Sequence, residues 1–373
     1  MISSRGADGE ESAALPYSLE FWGWDCQWAA AFAPLSVDGR IPARVIAQHR
    51  GSWLLAAADG EWSASLTGRL SHAAGDGELP AVGDWVACLR AGSGGSARID
   101  AILPRRSAFV RRAAGSRFGA QTVAANVDTL FITTSLNTDL NLRRLERFVA
   151  MARESGAEPV LLLTKEDLVQ DGPAVVERLA GELRIPVVAL STRTGDGVEA
   201  LRPWLVRGQT IALVGSSGVG KSTLLNYLAG RELMETREIR RDDGRGRHTT
   251  THRQLFRLPD GTLMLDTPGV REIGLWDADQ GLADTFTEIL EVADGCKYRD
   301  CGHANEPGCA VQAAIRAGNL DEARLQSFRR LGTELAGQPT EAERREAKRE
   351  FFKSIAVAAH ARARSKDNSW RDR

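Results

Sequence analysis

Apolar residues follow three different rhythms along the chain. Between residues 41 and 110 they come as short runs, Ala43–Gln48, Trp53–Ala58, Trp62–Leu66, Asp84–Leu89 and Arg98–Leu103. Each is rich in Val, Ile, Trp or Leu and is bounded by turn signals such as Ala58-Asp59-Gly60 and Gly92-Ser93-Gly94-Gly95. Five short strands so spaced predict a small barrel of the oligonucleotide/oligosaccharide-binding (OB) type. Arg69–Ala81 reads as a long exposed loop within it. Ahead of the barrel, Leu19–Ala33 carries Trp22, Trp24 and Trp28 and predicts a short helix packed on the next domain.

From about residue 120 the rhythm alternates. Val127–Thr133, Pro159–Leu163, Pro186–Leu190 and Thr210–Val214 are apolar strand-like runs, and Leu142–Arg153 and Val175–Leu183 have helical spacing. Alternating strands and helices predict a mostly parallel sheet covered by helices on both faces, which binds ligands at the carboxyl ends of its strands. From about 279 the chain is polar and helical. Asn319–Glu322 and Thr340–Glu343 resemble capping boxes, and Gly337 and Pro339 separate the two helices. The chain therefore divides into an N-terminal extension over 1–39, polar to about residue 20, a barrel over 40–118, a nucleotide-binding domain over 119–278, a metal-knuckle and helical domain over 279–360, and a basic tail over 361–373.

The strand Thr210–Val214 runs into Gly215-Ser216-Ser217-Gly218-Val219-Gly220-Lys221-Ser222, a full match to GxxxxGK[ST], and Thr223 opens the helix-like stretch behind it. Glycines let backbone N–H groups turn toward phosphate oxygens, and the helix N-terminus adds its dipole. Lys221 would reach the β- and γ-phosphates and Ser222 would ligate Mg2+. Leu263-Met264-Leu265-Asp266-Thr267-Pro268-Gly269 is an apolar strand ending in the expected Mg2+-side carboxylate, with the Gly269 N–H available to the γ-phosphate. Between the two motifs lies Gly244–Thr251. A threonine there would complete Mg2+ coordination; spacing does not decide among Thr249, Thr250 and Thr251, and Thr250 is carried as the candidate.

Thr164-Lys165-Glu166-Asp167 fits [NT]KxD, in which Asp167 would accept from N1–H and N2–H of guanine and the Lys165 stem would lie against the base. Adenine, with an acceptor at N1 and no 2-amino group, is rejected. The next strand ends in Leu190-Ser191-Thr192-Arg193, a loop placed to offer an N–H to guanine O6. The base-reading motif precedes the phosphate loop, the reverse of the common order, so the domain is expected to be circularly permuted. The switch around Asp266–Gly269 then runs straight into the C-terminal region. Val270 stands where many GTPases place a water-orienting glutamine. His248 is the local candidate for that role, against a plain surface switch residue.

Cys296-x4-Cys301-x-His303-x5-Cys309 gathers three thiols and one imidazole, a set suited to tetrahedral Zn2+ in a closed structural site, with a redox pair as the rival reading. Cys26 and Cys88 sit in apolar contexts and are expected to be buried.

Composition changes little by itself. Of 373 residues, 43% are hydrophobic and 26% charged, and the net charge is −1. No apolar run is long enough for a membrane span, and the polar start lacks a signal-peptide core. With five cysteines, an odd number, a disulfide framework is disfavoured and a reducing compartment favoured. The average charge conceals basic patches: residues 104–118 hold five arginines and no acid, residues 237–257 seven arginines against three acids, and residues 321–373 thirteen basic against nine acidic groups. With a barrel and a zinc knuckle, these patches point to RNA.

Taken together the chain resembles the RsgA (YjeQ) family of bacterial GTPases that depend on the small ribosomal subunit. The resemblance spans about residues 40–355. It rests on the barrel, Asn126-Val127-Asp128, the permuted Thr164–Asp167 and Gly215–Ser222, Gly246–Thr251, Asp266–Glu272 and the Cys296–Cys309 knuckle. It implies a cytoplasmic, monomeric GTP hydrolase that binds GTP and GDP, Mg2+ and one structural Zn2+. It implies partnership with the small subunit and its rRNA in late maturation, and a water-positioning role for His248. The alternatives are a permuted GTPase of the large subunit and a mainly RNA-binding module with weak turnover.

Overall fold

The computed structural model describes residues 18–49, 51–73, 79–91, 96–112, 120–136, 140–169, 171–232, 253–266, 282, 285–298, 301–304 and 306–336. The expected basic tail and the capping box at Thr340 lie outside these residues.

The tryptophan stretch forms helix α1 (Cys26–Phe32), as expected, started by Asp25, whose carboxylate accepts from the Trp28 N–H at 2.9 Å. Trp24 and Trp28 pack on Trp85 of the barrel, with ring centroids 4.7 and 6.2 Å away. Cys26 is a correction: it is exposed, because it occupies the first helical position beside the cap rather than the packed face.

Strands β1 (Ile41–His49), β2 (Ser52–Ala57) and β3 (Gly60–Leu66), helix α2 (Gly68–Ala73), and strands β4 (Trp85–Arg90) and β5 (Ser96–Ile102) form the barrel. β1 pairs with both β2 and β4, and β3 and β5 pair in parallel, so the five strands close on themselves in the order β1-β2-β3-β5-β4. A register shift between Val45 and Ala47 lets β1 bend between its neighbours. Alternate residues, Ala43, Val45, Trp53, Leu55, Trp62, Val86 and Ile99, fill the interior. Helix α2 occupies the start of the segment expected as loop.

A hairpin comes next, β6 (Ala108–Arg112) with β7 (Ala120–Ala125), which the sequence pattern does not predict. The parallel sheet is built from β8 (Thr129–Ser135), helix α3 (Leu142–Ser155), β9 (Glu158–Thr164), helix α4 (Gly172–Leu183), β10 (Val187–Leu190), β11 (Thr210–Val214), helix α5 (Lys221–Ala229), β12 (Arg253–Arg257) and β13 (Leu263–Asp266). Its order is β10-β9-β8-β11-β13-β12, parallel except for β12. Phe131, Leu162, Ile211 and Met264 pack on one face with Leu224 of α5, and Leu130, Leu161, Leu163 and Ala212 on the other with Leu145 and Val149 of α3. Burial on both faces explains why these strands read as unbroken apolar runs. β12 also pairs with β1, Gln254 opposite Ala47, which joins barrel and sheet through one ladder. Arg44, fully buried, donates to Thr210 Oγ1 at 2.7 Å and to the carbonyls of Gly83 and Asn126 at 3.2 Å, stitching β1 to β11 and the hairpin.

Helices α6 (Thr287–Ala293), α7 (Ala310–Arg316) and α8 (Glu322–Ala336) complete the described chain. α8 starts from Asp321, which accepts from Ala323 N–H at 3.0 Å, and not from the expected Asn319. Arg324 of α8 is buried and donates to Glu146 of α3 and Glu288 of α6, each at 2.7 Å, and to the Thr285 carbonyl. That network seats the C-terminal helices against the nucleotide-binding sheet.

Candidate functional site

Because β8, β9, β10, β11 and β13 run parallel, their carboxyl ends share one edge. The phosphate loop leaves β11 there, Thr164 ends β9, Ser191 follows β10 and Asp266 ends β13. This brings the expected phosphate, base and Mg2+ segments together although they are far apart in the chain.

The loop Gly215–Gly220 is held by three glycines with positive φ, at 144°, 79° and 99° for Gly215, Gly218 and Gly220. A Cβ on Gly215 would lie 2.0 Å from the Thr133 carbonyl oxygen, so only glycine allows this approach to β8. Val219 is buried, whereas Ser217, Gly218 and Thr223 face solvent, and Ser216 and Ser222 are half-buried. Lys221, at the first position of α5, is buried and donates through Nζ to the carbonyl of Gly215 at 2.9 Å and to that of Ser216. An ammonium curled over its own loop is positioned where phosphate oxygens would replace those carbonyls.

The base-reading segment is tied to this loop. Thr164 Oγ1 lies 2.6 Å from the Val219 carbonyl and 3.2 Å from that of Thr134. Lys165 takes the left-handed conformation, φ 62°, and donates through Nζ to the Gly218 carbonyl at 3.0 Å. The left-handed turn reverses the chain into a short 3-10 turn, Glu166–Leu168, which presents Asp167.

The Asp167 carboxylate is fully engaged. Oδ1 accepts from Ser191 Oγ at 2.6 Å, and Oδ2 accepts from Nε and Nη2 of Arg193 at 2.9 and 2.7 Å. The Ser191 hydroxyl and the Arg193 guanidinium hold Asp167 below the usual carboxylate range. Ser191 Oγ in turn accepts from the N–H groups of Arg193 and Thr194, each at 3.3 Å. Thr192 sits inside this turn. The ion pair of Arg193 is the feature that motif reading missed; the signal available was a basic residue two positions after the serine of the second base loop.

Four donor atoms converge after α6. The thiols of Cys296, Cys301 and Cys309 and the His303 ring nitrogen all lie within 4.8 Å of one another. Cys296 Sγ is 3.5 Å and Cys309 Sγ 3.6 Å from His303 Nδ1, and the two sulfurs are 3.9 Å apart. A tetrahedron with zinc–sulfur bonds of about 2.3 Å has edges near 3.8 Å, so the donor set fits a four-coordinate metal. Gly308 and His303, both at positive φ, turn the loop tightly enough for this. The Cys309 sulfur also caps α7, accepting from the Gln312 N–H.

The basic patch at 104–118 is partly spent inside the fold. Arg105 pairs with buried Asp84 at 2.7 Å, and Arg106 pairs with Asp25 and lies over the Trp28 ring at 4.1 Å. Both arginines therefore cement barrel, hairpin and α1. His248, Thr249, Thr250, Thr251, Gly269 and Val270 lie outside the described residues, and for Asp266 only the backbone is described, paired with Gln254. No helix of the described residues is long and apolar enough to cross a membrane.

Known proteins resemble this chain in sequence and fold. Residues 102–276 match the family model for the RsgA GTPase. The small ribosomal subunit biogenesis GTPase RsgA of Opitutus terrae is 45% identical over 362 residues, covering 93% of this chain and 98% of that protein. The protein of the same name from Methanosarcina acetivorans is 44% identical over 343 residues, 90% of each chain. The crystal structure of YjeQ from Thermotoga maritima aligns with a TM-score of 0.59 at 25% identity, over 80% of this chain and 100% of that one. YloQ, described as a circularly permuted GTPase, shares the fold with a TM-score of 0.58 at 22% identity, over 82% of this chain and 98% of that one. With the glycine loop after β11, the Thr164–Asp167 segment and the permuted strand order in place, the chain belongs to the RsgA GTPase family.

Proposed function

We propose that the chain is a cytoplasmic, monomeric GTPase of small ribosomal subunit biogenesis, which binds the subunit and its rRNA late in maturation and leaves on GTP hydrolysis. One observation carries the reading: Thr164 and Lys165 of the base-reading segment bond directly to the carbonyls of Val219 and Gly218 in the phosphate loop, so one rigid unit addresses both ends of a guanine nucleotide.

In this reading the loop from Gly215 to Ser222, with Ser216, Ser217 and Thr223 at its rim, cradles the phosphates. Asp167 reads N1–H and N2–H of the base, while Ser191 and Thr192 form the second base loop. Ser222, Asp266 and Thr250 hold Mg2+, which supplies charge neutralisation at the phosphates. Lys221 stabilises charge spreading onto the γ-phosphate oxygens, Gly269 adds an N–H, and His248 orients the attacking water. Cys296, Cys301, His303 and Cys309 hold one structural Zn2+. The barrel over 40–118, the GTPase domain over 119–278 and the helical domain over 279–360 act as separate modules joined by the β1–β12 ladder and the Arg324 network.

The base assignment is tested by Asp167→Asn. The amide donates where the carboxylate accepted, so preference should move from GTP to xanthosine triphosphate. Unchanged GTP preference contradicts the assignment. The partnership is tested by GTP turnover with and without purified small subunits.

A further inference from the structure

Asp167 lies at the surface with its side chain 11% exposed, and the guanidinium of Arg193, itself 72% exposed, is paired with its carboxylate. The pairing is chemically specific. Nε–H, Cζ and Nη2–H of Arg193 form an N–C–N unit with two donors pointing the same way. The Watson–Crick edge of guanine presents the same unit, N1–H, C2 and N2–H. Arg193 delivers its pair to Oδ2 at 2.9 and 2.7 Å, and the remaining oxygen is taken by Ser191. Of the two oxygens that would read guanine, Oδ2 is held by a side chain with guanine's own donor pattern and Oδ1 by the Ser191 hydroxyl.

The loop that carries Arg193 is built to hold it there. The Ser191 N–H donates to the Asp196 carbonyl and the Gly195 N–H to the Ser191 carbonyl, both at 2.9 Å. Gly197, φ 73°, lies so close to β10 that a Cβ would fall 2.1 Å from the Ala189 carbonyl oxygen. The backbone is thus fixed, while the guanidinium reaches solvent and can swing out without disturbing the core.

We infer that Arg193 is an internal competitor of guanine: it occupies Asp167 as a surrogate of the base edge and must be displaced each time a guanine nucleotide binds. The inference rests on the base-reading role proposed for Asp167. Its consequence is kinetic. Only the fraction of molecules with Asp167 released can accept the base, so the apparent association rate is the intrinsic rate multiplied by that fraction, and dissociation is untouched.

The test is stopped-flow binding of a fluorescent GDP to the full chain and to Arg193→Ala. Association should be about two- to fivefold faster in the variant, the worth of an exposed ion pair, with the dissociation rate unchanged. Arg193→Lys, which keeps the charge and loses the fork, should fall between the two. In an Asp167→Asn background, with xanthosine diphosphate as ligand, Arg193→Ala should have no effect. Unchanged or slower association, or faster dissociation, overturns the inference, since the latter would mean that Arg193 supports the bound base. If Asp167→Asn fails to gain xanthosine preference, the base-reading role itself falls and this inference with it. If it gains that preference while Arg193→Ala leaves association unchanged, the inference alone falls.

Discussion

Thr164 Oγ1 lies 2.6 Å from the carbonyl oxygen of Val219, joining the end of β9 to the phosphate loop across 55 positions of sequence. Both residues are buried, so this acceptor has no water to fall back on. Thr164→Val keeps the shape and removes the donor. An unsatisfied buried carbonyl costs about 1–3 kcal/mol, and the loop it belongs to is the one proposed to cradle the phosphates. Urea unfolding should show a loss in that range, and GDP affinity should fall with it. Thr164→Ser should retain both, and unchanged GDP affinity in Thr164→Val would mean that the contact does not position the loop.

Arg324 anchors the C-terminal helices. It serves Glu146, which is 1% exposed, together with Glu288 and the Thr285 carbonyl, and its guanidinium lies over the Phe286 ring at 4.3 Å. Arg324→Ala strands a buried carboxylate, for which about 3–5 kcal/mol is expected. Adding Glu146→Leu removes the stranded charge and should recover much of the loss. A single variant less than about 1 kcal/mol weaker in denaturant unfolding would show that the network contributes little.

The thiols divide by environment. Burial pushes Cys88 from an ordinary 9.0 up to about 12, so it stays protonated and inert in the folded protein. Its contribution to stability is complete below about pH 9 and is lost as pH rises toward 12, because the unfolded chain ionises first. Native alkylation near pH 8 should therefore label exposed Cys26 and spare Cys88. Metal analysis should return about one zinc per chain. Chelation should release Cys296, Cys301 and Cys309 to the reagent and weaken the packing of α6 and α7. Three reactive knuckle thiols in metal-loaded protein would contradict a closed site.

Much of the site is legible from local pattern. β11 and the glycine loop behind it are one continuous signal, and strands buried on both faces, such as Val160–Leu163, are unbroken apolar runs. The hidden features depend on partners far away in sequence. Arg105 and Arg106 read as part of a basic patch that points to RNA until Asp84 and Asp25 are placed beside them. The hairpin β6–β7 is masked by the arginines within it. β12 is a short polar run, Arg253–Arg257, and becomes a strand because β13 and β1 flank it. Likewise the pairing of Arg193 with Asp167 arises only when β9 and β10 lie side by side.

The proposed dependence of GTP hydrolysis on the small ribosomal subunit is tested by GTP turnover of the full chain, with and without purified small subunits, for the native protein and His248→Ala. Hydrolysis should be slow alone and strongly stimulated by the subunit, and His248→Ala should lose that stimulation with nucleotide affinity preserved. Equal turnover with and without subunits would contradict that dependence.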